Sequence, residues 1–431
     1  TTADIRFPTI TLSSGEEVTV SYGKYRALLA TCRVQEDRAA AFEALYGVYQ
    51  QNLNTYAALY NGVCQRDHFY SQARRYDSTL EAALSGNDVP TAVVENLIAS
   101  TRAGVAPLQR YHRLRKRVLG LEAYHLYDGA VPLTDLDQRY PYDDVASSII
   151  ESVAPLGKAY QANVRRAFEE RWIDVYENEG KRSGAYSAPV YGVHPYMLLN
   201  YNDTLDDVFT PAHEMGHSMH TILSHENQPF CYASYTIFVA EVASTLNEAL
   251  LLDYLLERSD DPKERALLLQ HAIDGICGTF YTQVLFADWE LAAHREVEEG
   301  KPLTAERLGA LYRERLEAYY GDAIALDERY DATWSRIPHF FRTPYYVYPY
   351  ATCFASSAKI LGELRGAESA EAKEAVVQRY LDLLRAGSKD HPMVLLRAAG
   401  VDLADTATVG AVATQLEGLV DRLEKELEQL G

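Results

Sequence analysis

Cysteine is scarce in this chain of 431 residues: Cys32, Cys64, Cys231, Cys277 and Cys353 are the whole set. Five scattered thiols form neither a metal knuckle nor a disulfide framework, so reduced cysteines and a cytoplasmic location are expected. Basic residues are outnumbered, 41 Lys and Arg against 61 Asp and Glu, for a formal charge of -20. That balance excludes nucleic acid, which wants basic patches, as a partner. No apolar run approaches a membrane span, and no basic-then-apolar leader is seen in this sequence, so no membrane partner is expected. Internal repeats and Pro-, Gly- or Ser-rich linkers are missing, which leaves one domain, 1–431, as the expectation. No glycine-rich loop adjoins the one dense basic run, Arg113, Arg115, Lys116 and Arg117. A solvated helix face is expected there instead of a phosphate site.

What is present is mostly helical pattern. Residues 5–21 alternate like a hairpin around Ser13-Ser14-Gly15-Glu16, and helical periodicity then takes over. Phe42, Tyr46, Tyr49, Leu53, Tyr56 and Tyr60 recur as the buried stripe of one long helix. Pro90 opens another that carries on to Leu119, and residues 143–177 keep the same period. The convincing β signal in the middle is Ala185–Val190 followed by Tyr196–Tyr201. An edge strand there could pair with the backbone of an extended peptide. Further helices are expected at 267–297, 351–365, 369–386 and 412–430, with 330–339 irregular. The class is mainly α, a large helical domain with a small β-sheet and a deep cleft.

The chemistry centres on Thr210-Pro211-Ala212-His213-Glu214-Met215-Gly216-His217. Thr210 reads as an N-cap and Pro211 as the first helical residue. Residues four apart stack on one helix face, so His213 and His217 can aim two imidazoles at one metal ion. Glu214 projects beside them as a base for water. A catalytic zinc needs three protein ligands and an open position. The solution with a following glycine and third histidine fails, because His220 and Leu223 occupy those offsets. A carboxylate from the apolar segment Phe238–Glu248 is the other solution. Glu241 is one candidate and Glu248, two turns on, the competitor. Ser244 and Thr245 could orient the ligands.

His-Glu-Met-Gly-His followed by Phe-Val-Ala-Glu-Val-Ala-Ser-Thr resembles the zinc peptidases of the thimet oligopeptidase and neurolysin family, most of all the bacterial branch, oligoendopeptidase F. The resemblance covers nearly the whole chain and is most specific between Tyr186 and Tyr350. It implies one Zn2+ per chain held by His213, His217 and Glu241. Along the chain, 1–22 reads as a hairpin-like start, 23–180 as a helical lobe and 181–431 as the zinc-binding catalytic part. Members of that family carry a further N-terminal helical region, whereas this chain opens at Thr1 on a strand-like segment. A fragment or processed form is therefore expected.

The stretch from Pro338 to Tyr350 packs one histidine and four tyrosines between prolines. Hydroxyls at such density can donate to an oxygen that becomes negative during reaction. They can equally be core tyrosines, each satisfied locally. The resemblance matches His339 and Tyr350 to substrate-contacting residues. The second tyrosine stays open between Tyr345 and Tyr346, with Tyr348 also in range, because the spacing is one residue short. The implied activity is a zinc metalloendopeptidase (hydrolase) that cuts short unstructured oligopeptides, with Glu214 as general base. A zinc exopeptidase is the alternative, although the Gly184–Ala188 segment lacks the glutamate of Gly-x-Met-Glu-Asn aminopeptidases. A zinc-retaining peptide-binding module is a further one.

Overall fold

The computed structural model describes residues 5–135 and 138–430. Helices dominate, and buried apolar side chains from Val20 to Leu423 join in one continuous core. A short antiparallel hairpin opens the described chain, pairing Thr9–Thr11 with Glu17–Thr19 in the register Ile10↔Val18. Its turn needs Gly15, whose φ of 86° lies in the left-handed region open to glycine.

Several expected long helices are broken in two. The aromatic stripe is divided between Gln35–Gln51 and Leu53–Ala73. Asn52 interrupts it at φ -111°, ψ 12°, with its side-chain amide donating to the Val48 carbonyl at 3.1 Å. An asparagine offers the backbone such an alternative to helix propagation. Tyr60 still ends in the core, stacked on Trp289 at 4.9 Å. The stretch after Pro90 splits into Thr91–Ala103 and Ala106–Val118 at Gly104. There a Cβ would sit 3.1 Å from that of Ala413, so the terminal helix packs against bare backbone.

Arg115 corrects the solvated-face expectation. It is fully buried and donates to the Tyr111 and Tyr124 hydroxyls and to the Asp128 and Val131 carbonyls. Five donors in a planar fork let it tie three segments together where neighbouring Arg113 and Arg117 reach solvent. Similarly, Arg38 is buried against Asp128 at 2.7 Å.

The small sheet has Tyr196–Leu198 in the middle, parallel to Ile173–Asp174 and antiparallel to Tyr186–Ala188. Tyr186–Ala188 thus supplies an edge, whereas the Tyr196 strand is paired on both sides. Three helices frame the candidate chemistry: the histidine helix Leu205–Asn227, the glutamate helix Ile237–Arg258 and the tyrosine helix Tyr348–Gly366. A further helix, Pro262–Ile276, runs into a π-helical turn, Cys277–Tyr281, before Thr282–Glu298. The terminal helix, Thr406–Leu430, begins six residues before its expected start at 412. Among the described residues, no helix is long and apolar enough to cross a membrane.

Candidate metal centre and active site

The histidine helix starts earlier than its local signals suggest. Thr204 is its N-cap, in a reciprocal capping box with Asp207, so Pro211 lies inside the helix and Thr210 is no cap. Thr210 instead donates to the Asp206 carbonyl at 2.8 Å. The Thr204-x-x-Asp207 box satisfies the first orphan N–H groups six residues upstream and outweighs the single hydrogen bond that Pro211 forfeits.

Along this helix His213 and His217 fall on one face, with ring centroids 4.9 Å apart. Nitrogen atoms of both face the carboxylate of Glu241: His213 Nε2 lies 3.2 Å and His217 Nε2 3.4 Å from Oε2. Potential ligand atoms of the three residues all lie within 4.8 Å of one another. Ligands on a tetrahedral zinc with bonds of about 2.0–2.1 Å stand roughly 3.3 Å apart. The two N–O edges have that length, so the donor set and its spacing fit a zinc ion.

The approach of the two helices explains why Glu241 reaches the histidines. At Gly216 a Cβ would lie 2.5 Å from the Ala243 carbonyl oxygen and the Ser244 Cα. Only a glycine lets the histidine helix touch the glutamate helix backbone to backbone, less than one turn from Glu241. Sequence reasoning missed this residue, although a glycine in mid-helix, where it is unfavourable, was the visible signal.

Glu248 has a different place from Glu241. Its Oε1 lies 2.5 Å from His213 Nδ1. A proton on Nδ1 leaves the Nε2 lone pair free to face a metal. Ser244 donates to Glu241 Oε2 at 2.8 Å, while Thr245 donates to the Glu241 carbonyl at 2.6 Å and its Oγ1 lies 2.8 Å from Ser357 Oγ. Without a bound ion, burial opposes the charged form of His213, but hydrogen bonds to Glu241 and Glu248 outweigh it and raise its pKa. For Glu241, burial is likewise outweighed by the two histidines, which lower its pKa.

Glu214 is buried beside the histidines, next to the edge strand. Ser187 of that strand shares a hydroxyl hydrogen bond with Ser218 at 2.9 Å, and Ser218 bonds the Glu214 carbonyl at 3.0 Å. Burial raises the Glu214 pKa, against the pull of His213 and His217. His220 faces the other way, stacked on Tyr235 at 3.6 Å, and burial holds its pKa down to about 3, so it is neutral.

The tyrosine cluster divides. His339 is helical, on the short turn Pro338–Arg342, and the 3-10 helix Glu328–Arg336 precedes it, which corrects the irregular reading of 330–339. Its ring is parallel to that of Tyr346 at 5.7 Å and 6.5 Å from that of Tyr350. Tyr346 and Tyr350 meet edge-on at 5.7 Å. Tyr350 sits in the first turn of the tyrosine helix and lines one cavity with His213 and Glu241. Burial raises its pKa further above the usual phenol range, so its hydroxyl stays a donor at neutral pH.

Tyr345 is not brought to this group, and the expectation for it is corrected. Its φ of 57° reverses the chain, so its ring enters the core while that of Tyr346 turns to His339. There its hydroxyl is 2.7 Å from Thr79 Oγ1 and its N–H donates to Glu290 Oε1 at 2.9 Å. Tyr348 is also buried, beside Phe238.

Comparison with known proteins agrees with this architecture. The peptidase family M3 profile matches residues 28–411. Oligopeptidase PepF of Bacillus subtilis is 40% identical over 426 residues, covering 99% of this chain and 62% of that protein. An oligoendopeptidase F homolog of Lactococcus lactis is 41% identical over 427 residues, covering 99% of this chain and 70% of that protein. Among solved structures, oligoendopeptidase-F from Enterococcus faecium superposes with a TM-score of 0.80 at 33% identity, over 99% of this chain and 70% of its own. The chain thus spans about two thirds of the length of the relatives it matches. A family match across most of the sequence, with relatives at 40% identity and above, means that the chain belongs to peptidase family M3.

Proposed function

We propose that the protein is a zinc-dependent endopeptidase acting on short, unstructured oligopeptides. One observation carries the reading: His213, His217 and Glu241 converge at zinc-ligand spacing, with the Glu214 carboxylate beside them and the Tyr350 phenol on the same cavity. Such a set suits hydrolysis of an amide. When bound, the ion supplies Lewis acidity to an attacking water and to the scissile carbonyl.

The remaining work falls to side chains. An extended peptide adds to the edge strand Tyr186–Ala188 through main-chain hydrogen bonds, which recognises many sequences alike. Glu214 accepts the proton of the attacking water and returns it to the leaving amine nitrogen. Tyr350 donates a hydrogen bond to the carbonyl oxygen as it gains charge, with Tyr346 and His339 packed behind or beside it. Glu248 keeps His213 in the tautomer that presents Nε2.

The test is mass spectrometry of a ladder of unstructured peptides incubated with zinc-loaded protein. Internal cuts that vanish with a chelator are expected. Glu214→Gln should keep zinc and fold yet lose nearly all turnover, since an amide cannot accept the proton. Stepwise trimming from one end would replace the endopeptidase reading with an exopeptidase, and intact peptides would leave a binding module.

A further inference from the structure

We propose that Glu290 is a positioning residue for turnover: by accepting the Tyr345 N–H it fixes the turn that delivers Tyr346 to His339 and Tyr350. The inference rests on the peptidase reading and adds to it a residue outside the candidate metal centre. Glu290 acts through the chain at Tyr345, not through the ion.

The turn has a conformation that a tyrosine does not choose for itself. Its φ of 57° is left-handed, where a Cβ crowds the following carbonyl oxygen. Among the described residues, five other than glycine have a positive φ, and only Tyr345 of them is buried. Water does not reach its backbone, so the interior has to hold it. One face of the helix Thr282–Glu298 does this. Glu290, His294 and Glu298 are spaced four apart and form a row along that face. The Glu290 carboxyl group accepts the Tyr345 N–H at 2.9 Å, and the His294 ring lies 4.6 Å from the Tyr345 ring. Thr79 Oγ1 donates to Glu298 at 2.7 Å and stands 2.7 Å from the Tyr345 hydroxyl. The row thus grips Tyr345 from its N–H to its phenol.

The Tyr345 N–H is the one hydrogen bond that the Glu290 carboxyl group makes among the described residues, and its Oε2 is buried without a partner. Its contribution is therefore to the turn. Tyr346 follows directly, and the peptide that joins it to Tyr345 leaves from the left-handed residue. Its ring lies parallel to that of His339 at 5.7 Å and meets that of Tyr350 edge-on at 5.7 Å. Burial and then the Tyr346 phenol raise the Tyr350 pKa, so the two side chains sense each other. Tyr350 in turn lines one cavity with His213 and Glu241. Without the Glu290 acceptor, Tyr345 relaxes toward negative φ and Tyr346 loses its place beside Tyr350. A misplacement of about 1 Å, caused far from the chemistry, can cost on the order of a hundredfold in rate.

The experiment compares the zinc-loaded parent, Glu290→Gln and Glu290→Met on one unstructured peptide. Glutamine keeps an acceptor, whereas methionine is similarly long and flexible and offers none of comparable strength. Glu290→Met is expected to lose kcat about 10- to 100-fold, with KM and zinc affinity within about twofold of the parent. Glu290→Gln should keep kcat within about threefold, because the N–H stays bonded. Tyr346→Ala supplies the cross-check: with that ring gone, adding Glu290→Met should cost no further kcat. Should Glu290→Met fail to fold, the α-hydroxy analogue of tyrosine at position 345 deletes the N–H alone, and the same loss of kcat is expected. Parental kcat in a folded Glu290→Met, equal losses in the two Glu290 variants, or additive losses with Tyr346→Ala overturns the positioning role. So does a loss spread evenly over kcat, KM and zinc affinity, which marks a general loosening. A parent that cuts no peptide overturns the peptidase reading instead.

Discussion

At the scale of single residues, one phenol separates a catalytic tyrosine cluster from a packed one. Tyr350 and Tyr346 meet beside His339, whereas Tyr345 is committed to Thr79 and Glu290 in the core. Tyr350→Phe keeps the ring and its packing, so its loss should appear in kcat, by about a hundred- to a thousandfold, with KM nearly unchanged. Tyr345→Phe removes a buried hydrogen bond, so it should instead lower stability by about 1 kcal/mol and spare kcat. Steady-state kinetics and thermal melts on both variants check this. A Tyr350→Phe protein with parental kcat would return that hydroxyl to the core.

The contact between two helices is the next scale, and Gly216 is where it is made. Gly216→Ala drives a methyl group into the Ala243–Ser244 backbone, so one helix has to move. Overpacking of this kind costs about 1–3 kcal/mol. The more telling expectation is for the metal: Glu241 lies less than one turn from the contact, so displacing it should weaken zinc affinity about 10- to 100-fold. Competition with a chromogenic chelator measures the affinity. Parental affinity together with a parental melting temperature would show that the helices have slack at this point. Glu248→Gln probes the same centre from outside, and it should weaken zinc binding without abolishing it, whereas Glu241→Ala, which removes a proposed ligand, should weaken it far more.

For the molecule as a whole, stability carries a pH signature from a carboxyl group outside the candidate metal site. Glu290 is buried, and burial pushes its pKa up to about 7 against the pull of His294 and the Tyr345 N–H. The unfolded chain holds this group near 4.5. Below that value both states are protonated and the folded form keeps its full advantage. Between there and about pH 7 the unfolded chain releases the proton first, so stability falls as pH rises, by up to about 3 kcal/mol in all. Glu290→Gln keeps an acceptor for the Tyr345 N–H and cannot titrate. Urea unfolding of both proteins should show the variant gaining on the parent from pH 5 to pH 7.5, and a constant difference would exclude the effect.

Periodic and local features were legible in the sequence alone. Spacing of four put His213 and His217 on one helix face whatever the rest of the chain did, because 3.6 residues per turn is a property of the backbone. Glu214 came from the same turn, and the predominantly helical class came from the recurring apolar stripes. Tertiary structure settled whatever depended on how one element meets another. Glu241 and Glu248 lie on one face of one helix, about 10 Å apart along its axis. Only the height at which Gly216 seats the histidine helix makes the first a ligand candidate and the second a partner of His213 Nδ1. Tyr345 went to the core and Tyr346 to His339 because of a left-handed residue held by the distant Glu290, and Arg115 was buried by carbonyls that only the folded loop presents. Even the start of the histidine helix depended on competition between two local signals, which the Thr204–Asp207 capping box won by satisfying more backbone groups than Pro211 could block.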